Sequence, residues 1–166
     1  MTVQVDETKR RIVTTFDEVH EAAVAIASMA ERSITIMTPD LEPGLYDHDD
    51  FLEATKRLVL ARSYSRVRVL VTEPSRAVRT GNRFVGLARR LSTYIEIRNL
   101  REDYRGKMTD AFIIADEKAV LYRSDGRAYD GVMGTVEPII ARRHLDAFEQ
   151  PWKDSVFKHR QRAEHA

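Results

Sequence analysis

The sequence predicts an α/β fold with one central mixed sheet flanked by helices. Two observations carry that expectation. Over the first two-thirds of the chain, amphipathic helical stretches alternate with short β-branched runs, the pattern of parallel strands joined by crossover helices. Toward the end, apolar runs follow one another too closely for a helix to intervene, which adds antiparallel pairing.

The elements follow in order. Arg10 to Thr14 reads as a short strand within an N-terminal arm of residues 1–14. Thr15-Phe16-Asp17-Glu18 has capping-box form, and Val19, Ala22, Ala23, Ile26, Ala27 and Ala30 repeat behind it at helical spacing. Ser33 to Thr38 is a β-branched strand stopped by Pro39. Asp47 or Asp49 is expected to cap a second helix through Phe51, Leu58 and Ala61. Arg66 to Thr72 follows as a strand. Ser75 is expected to start a third, unbroken helix to about Leu91, and Tyr94 to Arg98 a further strand. Residues 99–108 read as a polar loop. Thr109 to Asp116 is a buried strand ending in a carboxylate, and Lys118 to Tyr122 the strand that hairpins back. A turn at Ser124-Asp125-Gly126 leads to a strand near Tyr129 to Met133. A last helix begins at Glu137-Pro138, where proline suits the first turn, and runs to Trp152. The domain is expected over residues 15–157, with 158–166 a charged, disordered tail.

At 166 residues, 43% hydrophobic and 32% charged, the chain has the make-up of one globular domain. Its net charge of +1 provides no global field for nucleic acid or an anionic membrane, so such binding would rest on local patches. Cysteine is absent, which excludes disulfides and thiolate chemistry and is compatible with a reducing cytoplasm. The charged N-terminus lacks the form of a signal peptide, and no apolar run reaches the ~20 residues of a bilayer span. The sequence-based expectation is a cytoplasmic protein.

The order of elements resembles one half of a phospholipase D-like protein. The strand Ile34 to Pro39 is similar to that family's first core strand, Val67 to Val71 to its second, and Tyr94 to Arg98 to the strand before its signature. Phe148-Glu149-Gln150-Pro151-Trp152 is similar to the Phe-x-x-x-Trp that closes its last helix. The resemblance covers residues 15 to 155 and implies an α/β/α sandwich. It also sets Thr109, Ala111 and Asp116 against the His, Lys and Asp of the motif His-x-Lys-(x)4-Asp. In that family the histidine attacks phosphorus and the lysine holds phosphate oxygens. Thr109 and Ala111 supply neither, and the downstream Gly-Ser is Arg123-Ser124. The resemblance therefore implies a pseudoenzyme, a non-catalytic binding or regulatory module. Because the family builds its site across two similar halves, it also implies a homodimer meeting near Asp116.

Three groups of residues remain as candidates. Arg101, Arg105, Lys107 and Arg123, with Arg127 nearby, form a basic set around the signature strand, suited to a phosphate-bearing or other anionic ligand. Arg76, Arg79, Arg83 and Arg90 share one face of the expected third helix, a ridge that could follow a nucleic-acid backbone, though no aromatic residues are interleaved for base stacking. Asp40, Asp47, His48, Asp49 and Asp50 form an acidic run that could hold a metal in a hydrolase with relocated catalytic residues. The plainer reading is helix-capping carboxylates. The histidines at 20, 48, 144, 159 and 165 do not cluster in sequence. No cofactor and no metal ligand set is expected.

Overall fold

The computed structural model describes residues 10–77 and 82–157. Among the described residues, eight strands form one sheet: β1 (Arg11–Val13), β2 (Ser33–Thr38), β3 (Arg66–Val71), β4 (Ile95–Asn99), β5 (Ala111–Ala115), β6 (Ala119–Arg123), β7 (Gly131–Gly134) and β8 (Val156–Phe157). Their spatial order is β1-β7-β6-β5-β2-β3-β4-β8. β2, β3 and β4 are parallel, and the remaining pairings are antiparallel. This is the mixed α/β/α sandwich that the alternation of elements implied.

Helices α1 (Phe16–Met29) and α2 (Asp49–Ala61) cover one face, and α5 (Pro138–Lys153) covers the other. Strand alternation sorts the side chains between them. Ile34, Ile36, Val67, Val69, Ile113 and Leu121 enter the core beneath α1 and α2. Met37, Leu70, Phe112, Ile114 and Val120 enter the core beneath α5, where Leu145, Phe148 and Trp152 meet them. Phe148 and Trp152 stack at 5.5 Å, and the guanidiniums of Arg68 and Arg98 lie over the pair. The closing Phe/Trp pair thus seals the sheet against α5 and shields two strand arginines from water.

The local signals at α1 act as expected. Thr15 Oγ1 accepts from the Glu18 amide at 3.1 Å, and Glu18 reaches back to the amides of Thr14 and Thr15. Those backbone bonds, Thr14 first, hold the Glu18 carboxyl below its ordinary value.

Four expectations need correction. α2 is capped by His48, neither by Asp47 nor by Asp49; Asp47 turns instead to the Gly44 amide. The single third helix is two: α3 (Pro74–Ala77) and α4 (Arg83–Arg90). Asn82 has extended backbone, accepts from the amides of Phe84 and Val85, and donates to the Leu41 carbonyl at 2.9 Å. That long-range bond makes Asn82 a helix start. The loop after β4 contains a short 3-10 turn at Glu102–Tyr104. β8 was not foreseen; it adds to the β4 edge. The expected tail, residues 158–166, and the N-terminal residues 1–9 lie outside the described residues. Among the described residues, no helix is long and apolar enough to cross a membrane.

Candidate ligand cleft

β5 sets the frame of the site. It runs antiparallel to β2, so Thr109 lies beside the end of β2 at Pro39 while Asp116 returns to the start of β2 at Ser33. By strand rise these positions are about 20 Å apart. The residues that the sequence set against the His and Asp of one motif lie at opposite ends of the same strand, and so at opposite ends of the sheet.

At the Asp116 edge the carboxylate accepts from three consecutive amides: Glu31 at 2.9 Å, Arg32 at 2.7 Å and Ser33 at 3.1 Å. It ties the end of α1 to the start of β2. Asp116 and Glu117 both have positive φ, 56° and 58°, and the Lys118 amide donates to the Ala115 carbonyl. Two successive left-handed residues in a tight hairpin turn are unusual without glycine. The amide cradle fixes Asp116 in that conformation.

At the Thr109 edge lies an open cleft of about 560 Å³, lined by Pro39, Glu73, Ser75, Arg105, Thr109 and Arg127 among others. Arg105 makes one long hydrogen bond, 3.4 Å, to the Leu100 carbonyl. Arg127 is held by both oxygens of Glu73, at 3.0 and 3.1 Å. Lys107 is exposed in the same turn as Arg105 but does not line the cleft. Arg101 turns to Asp103 and lies over Tyr104, and that carboxylate raises its pKa.

Arg123 has a different fate. It is the cross-strand partner of Ala111, so the two side chains share the face beneath α1 and α2. Its side chain is only 2% exposed and forms a two-pronged pair with Glu42, itself 15% exposed. It also donates to the carbonyls of Gly126 and Ala128. Burial alone would lower the guanidinium; Glu42 and Tyr46 together more than offset it and hold Arg123 above its ordinary value. Burial raises the Glu42 carboxyl, opposed by Arg123. The two influences on Glu42 conflict, and the two-pronged geometry is that of an ionised pair. Tyr46, fully buried alongside, has its phenol pushed up by the same burial. Beside Ala111, the Gly126 turn closes so tightly that a Cβ added there would meet Pro39 at 2.6 Å and Ala111 at 3.3 Å. The four anion candidates are therefore not brought together: Arg105 lines the cleft, Lys107 stands near it, Arg101 points elsewhere and Arg123 is buried in an ion pair.

The arginine ridge is divided by the start of α4. Arg79 lies outside the described residues, as does the Arg76 side chain. Arg83 is paired with Asp49. Sequence spacing gave no sign of Glu42, which is 81 positions from Arg123, nor of His20, which α1 carries to His48 and Asp50. The only local hint was that Arg123 follows the apolar run Ala119 to Leu121, close enough to the core for a cation to require a partner.

Solved structures with this fold bear out the phospholipase D-like architecture. Nuc of Salmonella typhimurium, a phospholipase D family member, superposes with a TM-score of 0.63 at 15% identity, covering 91% of this chain and 98% of Nuc. NucT from Helicobacter pylori gives 0.63 at 16%, covering 91% and 99%. TrmBL2, an archaeal chromatin protein described with a novel mode of DNA binding, gives 0.64 at 14%, covering 94% of this chain and 58% of its own. No curated protein matches in sequence. The family described as a domain of unknown function, DUF7931, matches residues 15–163, and the chain belongs to it.

Proposed function

We propose that this domain is a non-catalytic phospholipase D-like module that binds a phosphate-bearing or similar anionic ligand in the cleft beside Thr109. The observation that carries the reading is the pairing of Ala111 with Arg123. Where the resemblance expects a lysine, the side chain is a methyl group, and the neighbouring cation is committed to Glu42. Thr109 offers a hydroxyl in place of an imidazole. Among the described residues at that edge, none combines nucleophile and base, so retained phosphodiester chemistry has no support there.

The cleft retains means of holding an anion. Arg105 has hydrogen-bonding capacity beyond its long contact with Leu100, and Arg127 can exchange Glu73 for a ligand oxygen. The DNA named for TrmBL2 is itself phosphate-bearing, in keeping with that ligand class. The homodimer implied by a single half belongs to this proposal, with one change. A two-fold contact that completed the cleft would join the Thr109 edges, since the Asp116 edge lies at the other end of the strand.

The test is calorimetric titration of the full chain with inorganic phosphate, a mononucleotide and a short single-stranded DNA, beside a generic phosphodiester hydrolysis assay. Binding that is lost in Arg105→Ala, without turnover, is the expected result. Turnover abolished by Asp49→Ala or Asp50→Ala would establish the relocated-hydrolase reading instead. DNA binding unchanged by Arg105→Ala but lost in Arg79→Ala/Arg83→Ala would move the ligand to the arginine ridge. Light scattering should give the mass of two chains.

A further inference from the structure

His20 lies in the second turn of α1, stacked on Phe16, with its side chain 16% exposed. Both its ring nitrogens are buried and have no hydrogen-bond partner. A neutral imidazole carries one donor and one acceptor, and burying both unpaired is unfavourable enough to require a missing partner. Across from it, at the start of α2, stand His48 and Asp50. His20 Nε2 is 3.6 Å from Asp50 Oδ2, beyond hydrogen-bond reach, and His48 Nδ1 is 2.9 Å from Asp50 Oδ1. The two imidazoles meet edge to face at 4.5 Å. One donor atom from each of the three residues lies within 4.8 Å of the others.

His48 is also an unusual choice of cap. It accepts from the Asp50 amide at a long 3.5 Å, while Asp47 and Asp49, of a residue type far better suited to a helix start, flank it. A weak cap between two stronger ones suggests that the imidazole serves another purpose.

We propose that His20, His48 and Asp50 bind a divalent transition-metal ion of the zinc class. Two imidazoles and a carboxylate form a zinc-type donor set, whereas calcium and magnesium favour oxygen alone. Tetrahedral bonds of about 2.0–2.1 Å place donors roughly 3.4 Å apart. The 3.6 Å separation of His20 and Asp50 is near that value, and His48 and Asp50, each 51% exposed, have room to rotate for the rest. Three protein ligands leave a fourth position for water. The ion would clamp α1 to α2 and fix the end of the loop that brings Glu42 to Arg123. That loop already rests on α1, because a Cβ at Gly44 would lie 3.3 Å from the Phe16 ring. The site is independent of the cleft reading, since none of its ligands lines the cleft.

The test strips the full-length chain with a chelator and titrates it with zinc chloride by calorimetry. One ion per chain is expected, with a rise in thermal midpoint. His20→Ala, His48→Ala and Asp50→Asn should each weaken binding about tenfold or more, because even outer-shell substitutions have that effect. His159→Ala/His165→Ala should leave binding unchanged. If His20→Ala fails to fold, Asp50→Asn at its exposed position decides the matter. Absence of zinc uptake, uptake indifferent to Asp50→Asn, or uptake lost in the His159/His165 variant would overturn the proposal.

Discussion

The two ends of β5 satisfy their polar groups in opposite ways. At the Asp116 end one carboxylate gathers three consecutive backbone amides of the chain turn between α1 and β2. At the Thr109 end side chains satisfy side chains: the Arg123 guanidinium pairs with Glu42, and Arg127 with Glu73. The first end needs its acid to shape the backbone. The second holds its shape through an ion pair between strand and loop, which fills the space beside Ala111. The carboxylate at Asp116 therefore has a structural reason of its own, whatever the residues at the other end of the strand do.

Arg123 offers the largest way to break this comparison. Arg123→Ala would leave Glu42 in a nearly water-free setting and two carbonyls, Gly126 and Ala128, without their donor. Removing one partner of a buried pair destabilises by about 3–5 kcal/mol. Chemical denaturation followed by circular dichroism measures it. Arg123→Met combined with Glu42→Leu should recover most of the loss, since the burial of both charges is relieved together. A silent single substitution would mean that the pair does not support the Thr109 end.

Asp116 gives the next effect. Asp116→Ala strips three amides of their acceptor and places alanine at a positive φ, which should destabilise by about 1–3 kcal/mol. Asp116→Asn keeps an acceptor oxygen and a residue type tolerant of that backbone, and should lose less. Neither should alter phosphate binding in the cleft, some 20 Å away by strand rise. Lost binding in Asp116→Asn with unchanged stability would contradict the separation of the two ends.

How much of this was legible in the sequence follows distance along the chain. Interactions made within a few residues were readable: the Thr15/Glu18 box, the β-branched Ser33–Thr38 strand, Pro138 in the first turn of the last helix, and Phe148/Trp152 one turn apart. Interactions closed through space were not. Asn82 looks like an interior helix residue until Leu41 supplies the carbonyl that makes it a start. Arg123 looks like a ligand for an anion until Glu42 arrives from 81 positions away. His20 and His48 sit on different helices, and only the packing of α1 against α2 brings them together. The basic residues were visible as residues; their partners were a property of the fold.

The smallest effect sharpens the Thr109 end from the opposite face of the sheet. His144 on α5 stacks on Tyr122 at 4.3 Å, and the Tyr122 hydroxyl donates to Asp110, next to Thr109. Burial pushes the His144 imidazole below its ordinary value of 6.5, with Asp110 pulling against it and Arg143 adding to it. The unfolded chain therefore binds this proton more readily than the folded one in the window just below pH 6.5. By linkage, stability falls as pH drops through that value and levels off below the folded pKa. His144→Phe keeps a ring on Tyr122 and removes the proton, so it should flatten this part of the stability profile without lowering the neutral plateau. Denaturation midpoints for both proteins, taken above and below pH 6.5, measure the difference. Parallel profiles would show that this face does not register the proton, and that the polar groups near Thr109 are tuned only from the side that holds Arg123.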